Sequence, residues 1–197
     1  MNILTDALPT SVRINGEEYP INTGFRSCLR TNLAFEDPEL TGHEKEMVML
    51  KNIYPVLPDD IGAAIIQAHN FMNGGKTTEG DDISPMRVFS LEHDAGYIFS
   101  AFMQTHKLDL ETAELHWWKF LALFMDLGSE TTFCSLVALR KRVKSGQATK
   151  EELAVAREMG DVFNLPELAD ARSLEAITME DEFMRQIGKG QKTNVSI

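Results

Sequence analysis

The sequence lacks the features that would indicate export, a metal centre or a disulfide framework. Among its 197 residues there are only two cysteines, Cys28 and Cys134, and they lie far apart without other ligand types in metal-binding spacing. The first ten residues, MNILTDALPT, have neither the basic nor the long apolar segment of a secretory signal. We therefore expect a cytosolic protein whose two thiols are reduced and buried.

Long apolar runs and an excess of positive charge are missing as well. The longest apolar run near the two tryptophans is FLALFM, between Lys119 and Asp126, whereas a membrane-spanning helix needs roughly 20 apolar residues. The formal net charge is −11, and an acidic surface repels the phosphates of nucleic acids. The sequence therefore predicts neither a membrane span nor a nucleic-acid partner.

The N-terminal region carries the pattern of a β-hairpin at about residues 10–23. Apolar and polar residues alternate on both sides of Asn15-Gly16, a pair that adopts the positive φ angles of a type I′ turn. Pro20 has no N–H to donate and is expected on a sheet edge. Because a lone hairpin is marginal in water, we expect this one to pack on an apolar surface.

The chain from there to Pro166 shows helical periodicity. Capping boxes at Thr41/Glu44 and Thr149/Glu152 mark two helix starts. Helices are predicted at about residues 25–35, 41–54, 61–72, from 90 or 92 onward, 112–127, 129–144 and 149–163. The sequence thus predicts a mainly α-helical bundle with the hairpin packed on it in residues 1–166. A flexible, acidic and partly disordered tail is predicted at 167–197.

Both tryptophans lie side by side in the segment AELHWWKFLALFMDL, residues 113–127. On a helix from about Thr112, polar residues His116, Lys119 and Asp126 fall within a quarter-turn and the other positions are mainly apolar. Such a helix is expected to be central in the bundle. One tryptophan is expected to fill the core, and the other to pack under the hairpin or reach a partner.

The histidines do not have the spacing of catalytic or metal sites. Positions three and four residues from His116 hold Thr112, Ala113, Lys119 and Phe120, none of which is a metal ligand. We interpret His116 as a histidine at the core margin that is hydrogen-bonded to Asp94. No cofactor or metal is expected, and we predict that the protein is not an enzyme.

Two further motifs have structural interpretations. Gly75-Lys76-Thr77 lacks the earlier glycine of a phosphate-binding loop, because position 70 is Asn70. The one basic cluster suits the negative pole of a helix and is expected to be a solvated helix end; it comprises Arg140, Lys141, Arg142 and Lys144.

Several strings together resemble a protein family of tailed phages and prophages of Gram-positive bacteria. They are INGEEYPINTGFR, EDPELTGHEKEM, and an Asp94-to-Ile98 segment followed by LHWWKF at 115–120. The resemblance covers about residues 1–165. Members are encoded just before the tape-measure protein and are regarded as tail-assembly chaperones. It implies a non-enzymatic protein of the host cytoplasm that binds the tape-measure protein and is displaced by the tail-tube protein. Self-association is a further candidate interaction.

The tail offers a candidate partner-binding stripe. An alternative is that this stripe covers the domain's own core. A connector or tail accessory component of the particle, and a metal-dependent hydrolase using His93 and His116, are the competing functional hypotheses. The candidate partner-binding residues are Leu174, Ile177, Phe183, Met184 and Ile187.

Overall fold

The computed structural model describes residues 2–75 and 86–166 of the chain. A two-stranded hairpin precedes the helices, with β1 at Ser11–Ile14 and β2 at Glu17–Pro20. The helices are α1 (Phe25–Glu36), α2 (Gly42–Ile53), α3 (Ile61–Met72), α4 (Ala95–His106), α5 (Trp117–Met125), α6 (Thr132–Lys144) and α7 (Lys150–Met159), followed by a 3-10 turn at Gly160–Val162. The predicted mainly α-helical fold with an N-terminal hairpin is confirmed.

The hairpin turn has the predicted backbone geometry. Asn15 and Gly16 have φ angles of 51° and 90°, and the strands pair antiparallel with Ile14 opposite Glu17. The Asn15 side-chain amide donates to the Asp60 carboxylate at 2.9 Å. Because Asp60 also caps α3 through the Ala63 N–H, this contact fastens the hairpin to the start of that helix.

Side-chain caps explain where several helices begin. Both predicted capping boxes are present, at Thr41/Glu44 and Thr149/Glu152. The Thr131 hydroxyl accepts from the Cys134 N–H at 3.2 Å, so α6 starts a turn later than the predicted residue 129. Each cap satisfies a backbone N–H that has no partner inside the helix.

The predicted start of α5 at about Thr112 was wrong. The Phe25 N–H donates to the Leu115 carbonyl at 3.0 Å, and the Trp117 N–H donates to the Thr23 carbonyl at 2.6 Å. This bridge holds His116 in an extended conformation with ψ 141°. The Trp117 N–H is therefore unavailable for a helical bond to residue 113, and α5 begins only after the bridge.

Aromatic rings form the centre of the core. The Phe120 ring stacks on Phe25, Phe102 and Trp117 at centroid distances of 5.1, 5.0 and 5.5 Å. Trp117 and Phe120 are each 2% exposed, whereas Met125 at the other end of α5 is 83% exposed. The expectation of a central helix thus holds for the first turn of α5 and fails at its last residue.

Arg140 is not part of a solvated helix end, contrary to expectation. Its side chain is 1% exposed and forms a 2.7 Å ion pair with the fully buried Asp94. Lys141 and Lys144 are exposed as expected. The helical spacing of Arg140, one turn from Leu136, places it on the buried face of α6, where only a paired guanidinium is tolerated.

Candidate functional site

His116 does not form the predicted contact with Asp94. Its Nε2 lies 2.9 Å from the Pro9 carbonyl, and its Nδ1 accepts from the Trp118 N–H at 3.1 Å. The imidazole therefore has Nε2 protonated, with both nitrogens engaged. It lines a shallow pocket of about 350 Å³ with Arg26 and Glu114, but neither ring nitrogen is free to move a proton or bind an ion there.

The second histidine of the hydrolase hypothesis lies elsewhere. His93 lines an open depression between α4 and α6, with Tyr97 and Thr131. Within residues 2–75 and 86–166, no group of three or more His, Cys, Asp or Glu side chains is arranged to hold a metal ion. The structure therefore does not bring His93 and His116 together into one site.

Both thiols are free, but their surroundings differ. Cys28 is fully buried, and burial raises the pKa of its thiol to about 12. Cys134 is half-buried, and its Sγ lies 3.5 Å from the Leu127 carbonyl, to which it donates. A thiol with a raised pKa is a poor nucleophile at neutral pH, so Cys28 is a packing residue.

The two tryptophans lie in different environments, as the sequence predicts. Trp117 is buried, and its indole N–H donates to the Met72 carbonyl at 2.8 Å. Trp118 donates to the Phe71 carbonyl at 2.8 Å and is half-buried. It lines a cavity of about 320 Å³ shared with Pro9 and Val12 at the start of the hairpin. The second tryptophan thus lies beside the hairpin.

An apolar groove lies between α1 and α4. It has a volume of about 260 Å³ and a lining made entirely of apolar residues. The α1 wall presents one stripe of apolar residues. The opposite wall is formed by α4 together with Leu91 before it and Leu110 after it, and the floor is formed by α5. The lining residues are Phe25, Leu29, Leu33, Leu91, Ala95, Ile98, Phe99, Leu110 and Phe120.

Polar contacts at both ends hold the walls of this groove in place. At one end, the Arg26 guanidinium donates to the carbonyls of Leu110, Glu111 and Ala113. At the other end, the Glu36 carboxylate accepts from the Ser90 hydroxyl at 2.8 Å and from the Leu91 N–H. The first residues of α1 thus lie near the segment that follows α4, and the last residue of α1 lies near the start of α4. The two helices therefore run antiparallel.

The groove is open because its two walls, α1 and α4, do not pack closely against each other. α5 packs on both α1 and α4, while α1 and α4 make at most marginal contact with each other. Leu33 is 36% and Phe99 39% exposed at the rim. The rim of each wall is therefore only partly covered by the described residues.

The chemistry of the groove fits side chains of another protein better than a small ligand. Small-molecule sites typically enclose about 300–1,000 Å³ and include a few polar groups that orient the ligand. This groove is smaller and has no polar lining residue. An amphipathic helix that lays its apolar face into a hydrophobic groove is one known mode of recognition for such a surface.

Sequence reasoning missed the groove, although a signal was present. The helical periodicity places Phe99 and Met103 on one face of α4 with Ile98 and Phe102. In the structure Phe102 is fully buried, whereas Phe99 and Met103 are 39% and 43% exposed. The stripe is too wide for one interface, and α4 contains no Asp, Glu, Lys or Arg to solvate its outer face.

The predicted partner-binding residues are in the C-terminal segment. Leu174, Ile177, Phe183, Met184 and Ile187 lie outside the described residues, so their role stays a prediction. None of the helices in the described part of the chain is long and apolar enough to cross a membrane.

Fold and groove together define a small α-helical domain with an open apolar groove. Residues 4–165 match the family model described as "Bacteriophage Gp15 protein". The chain belongs to this family and is a bacteriophage protein. Neither a curated protein nor a solved structure gave a significant match.

Proposed function

We propose that the chain is a non-enzymatic tail-assembly chaperone that binds apolar helices of the tape-measure protein in the host cytoplasm. The observation that carries the proposal is the open apolar groove between α1 and α4. Membership of a bacteriophage family and the resemblance of its motifs to tail-assembly chaperones direct the proposal to a phage client. The net charge of −11 keeps such a carrier soluble while it holds an apolar client.

The size of the groove suits a contact that is made and later released. An apolar side chain that becomes fully buried contributes roughly 1.5–3 kcal/mol. Two or three anchors therefore supply a gross gain comparable to the roughly 4–15 kcal/mol that association costs in translational and rotational freedom. Each groove contact is thus weak, and tail-tube subunits that assemble on the same client displace it.

Co-expression with the tape-measure protein tests the proposal. We expect the wild-type chain to keep that client in the soluble fraction. Phe99→Asp and Leu33→Asp place a charge at the groove rim and should send the client to the pellet. Met125→Asp is the matched control, because Met125 is 83% exposed and lies outside the groove lining.

Two outcomes would contradict the proposal. One is a tape-measure protein that stays insoluble with the wild-type chain although both proteins are well expressed. The other is abundant chain in purified mature virions, detected by mass spectrometry, which would favour a connector or tail accessory component. A chaperone acts before the particle is complete and should be absent or present only in traces.

A further inference from the structure

We propose that the groove selects about two turns of an amphipathic helix with a basic residue beyond each end of its apolar stripe. This inference rests on the proposed function and defines the client segment that the groove recognises. It follows from the length of the groove, from the helical nature of its walls and from the charges at its two ends.

The groove length determines how much of a partner it contacts. The α1 wall runs from Phe25 through Leu29 to Leu33, a distance of roughly 12 Å at 1.5 Å per residue. An antiparallel or parallel helix laid along it presents about two turns. Its apolar side chains at positions i, i+4 and i+7 lie on one face and fill the space above Phe120.

The walls of the groove favour a helix over an extended peptide. α1 and α4 bond their backbone groups internally, so between them there is no free sheet edge to pair with a partner strand. An extended segment buried there would leave its own N–H and C=O groups without partners, which is costly. A helix satisfies those groups itself and needs only apolar side chains at the contact.

The charges near the groove are arranged at its ends. Glu92 follows Leu91 at one end, and Glu111 follows Leu110 at the other. Both are exposed, and neither forms an ion pair within the described residues. The helix between them has 12 residues, so the two carboxylates lie roughly 18 Å apart or more.

The cations near the groove do not cancel this pattern. At one end, Arg26 donates to three neutral carbonyls and keeps its charge, but Arg26 and Lys107 are outnumbered there by Asp109, Glu111 and Glu114. At the other end, Arg87 lies 3.9 Å from Glu36 and is outnumbered by Glu36 and Glu92. Arg30 is exposed on α1 and lies about 60° from Leu33 on the helix surface, beside the middle of the groove and at neither end. The ends of the groove thus carry negative charge, which attracts basic residues on the partner.

The same charges disfavour a second copy of this chain as the occupant. Two molecules that each carry a net charge of −11 repel one another at low ionic strength. By contrast, a partner helix with basic residues beyond both ends of its apolar stripe is attracted to the acidic ends of the groove. We therefore assign the groove to a different protein, with dimerisation as a measurable alternative.

Two synthetic peptides test this specificity. Both are capped helices of roughly 18 residues with leucines at i, i+4 and i+7 and a background of alanine and glutamine. One carries two lysines at each end, and the other carries glutamates instead. Fluorescence anisotropy with the full-length protein should show at least about tenfold tighter binding of the lysine peptide at low salt, and a smaller difference at about 1 M salt.

Variants connect this binding to the groove. Phe99→Asp should abolish binding of the lysine peptide, and Met125→Asp should leave it unchanged. The double variant Glu92→Lys/Glu111→Lys should reverse the preference in favour of the glutamate peptide. Leu33→Asp provides a second groove variant if Phe99→Asp does not fold, as judged by circular dichroism.

Several results would overturn the inference. They are equal binding of the two peptides at low salt, binding that persists in both groove variants, and a concentration-dependent dimer that Phe99→Asp disrupts. Its failure is distinguishable from failure of the proposed function. A chain that solubilises the tape-measure protein through the groove but ignores peptide charge would refute only the present inference.

Discussion

The Arg140 guanidinium and the Asp94 carboxylate form a two-point ion pair that is sealed from solvent. The nitrogen–oxygen distances are 2.7 and 3.0 Å. The remaining N–H groups of Arg140 donate to the carbonyls of Val88, Val162 and Phe163, so all five are satisfied. One side chain on α6 therefore joins the start of α4 to the segment after α7.

Removing one partner of this pair should destabilise the domain strongly. Arg140→Met leaves Asp94 buried without its counter-charge, and Asp94→Ala leaves the guanidinium in the same state. Each should lower the free energy of unfolding by roughly 3–5 kcal/mol. Urea denaturation followed by tryptophan fluorescence measures the loss.

The double variant and a surface control make this prediction specific. The double variant Arg140→Met/Asp94→Ala should lower the free energy of unfolding by clearly less than the sum of the two single-variant losses, because no lone buried charge remains. Arg142 pairs with Glu152 at 2.8 Å but is 43% exposed, and Arg142→Met should cost less than about 1 kcal/mol. Similar losses at Arg140 and Arg142 would refute the argument.

Features set by local sequence could be predicted, and those set by distant contacts could not. The Asn15-Gly16 turn and the Thr41 and Thr149 capping boxes depend on residues within four positions of each other, and each occurs in the structure. The start of α5 depends on a bridge between residues 23–25 and 115–117. No pattern inside the segment around Thr112 encodes that bridge.

The buried arginine and the groove escaped prediction for related reasons. Arg140 lies among Lys141, Arg142 and Lys144, and the composition of the cluster suggested a solvated end although the helical phase of Arg140 matched the core. Its partner Asp94 is 46 residues away in sequence. The groove arises from the spacing of α1 and α4 on α5, which is a tertiary property.

The His116 cap provides a second stability prediction. His116→Ala removes the acceptor for the Trp118 N–H, a loss of about 1 kcal/mol for a helix cap. It also removes the bond to the Pro9 carbonyl, worth roughly 0.5–1.5 kcal/mol. Asparagine caps helices well, so His116→Asn should recover the first contribution and not the second.

Chemical denaturation and amide exchange separate these contributions. The alanine variant should be the least stable of the three proteins, with faster exchange at Trp118 than in the asparagine variant. An alanine variant as stable as the wild type would contradict the assigned cap. Equal stability of the alanine and asparagine variants would show that the Pro9 contact alone matters.

The two cysteines should differ in reactivity. Burial raises the pKa of Cys28 from 9.0 to about 12, so the folded state disfavours its thiolate. The sign follows from linkage: this group contributes stability that is fully present below the unfolded pKa near 9 and is lost as the pH rises toward 12. At pH about 8, native protein should be alkylated at Cys134 well before Cys28.

Pulsed alkylation with mass spectrometry gives the order of labelling. In urea, Cys28 and Cys134 should be alkylated at equal rates, because unfolding exposes the Cys28 thiol. The variant Cys134→Ser serves as the control, since its native form should then react only slowly. Equal labelling of both thiols in the native wild-type protein would show that the core around Cys28 opens readily.

Two glycines should respond in opposite directions to alanine. Gly75 has a φ angle of 77°, and a Cβ there would lie 2.8 Å from Cη2 of the Trp118 indole. Gly75→Ala should therefore lower the free energy of unfolding by roughly 1–2 kcal/mol or more, because the left-handed backbone alone costs that much. Gly96 lies in α4, and a Cβ added there would have no neighbouring atom within 4 Å, so Gly96→Ala should stabilise the domain by roughly 0.5–1 kcal/mol.

The pair is informative because the chemical change is identical. Thermal unfolding should show a lower midpoint for Gly75→Ala and a higher one for Gly96→Ala, relative to the wild type. Trp118 fluorescence should change only in the first variant, since its indole must move to accommodate the new methyl group. A Gly75→Ala protein with unchanged stability and fluorescence would mean that the indole does not pack over residue 75, and the cavity beside the hairpin would then have a different shape.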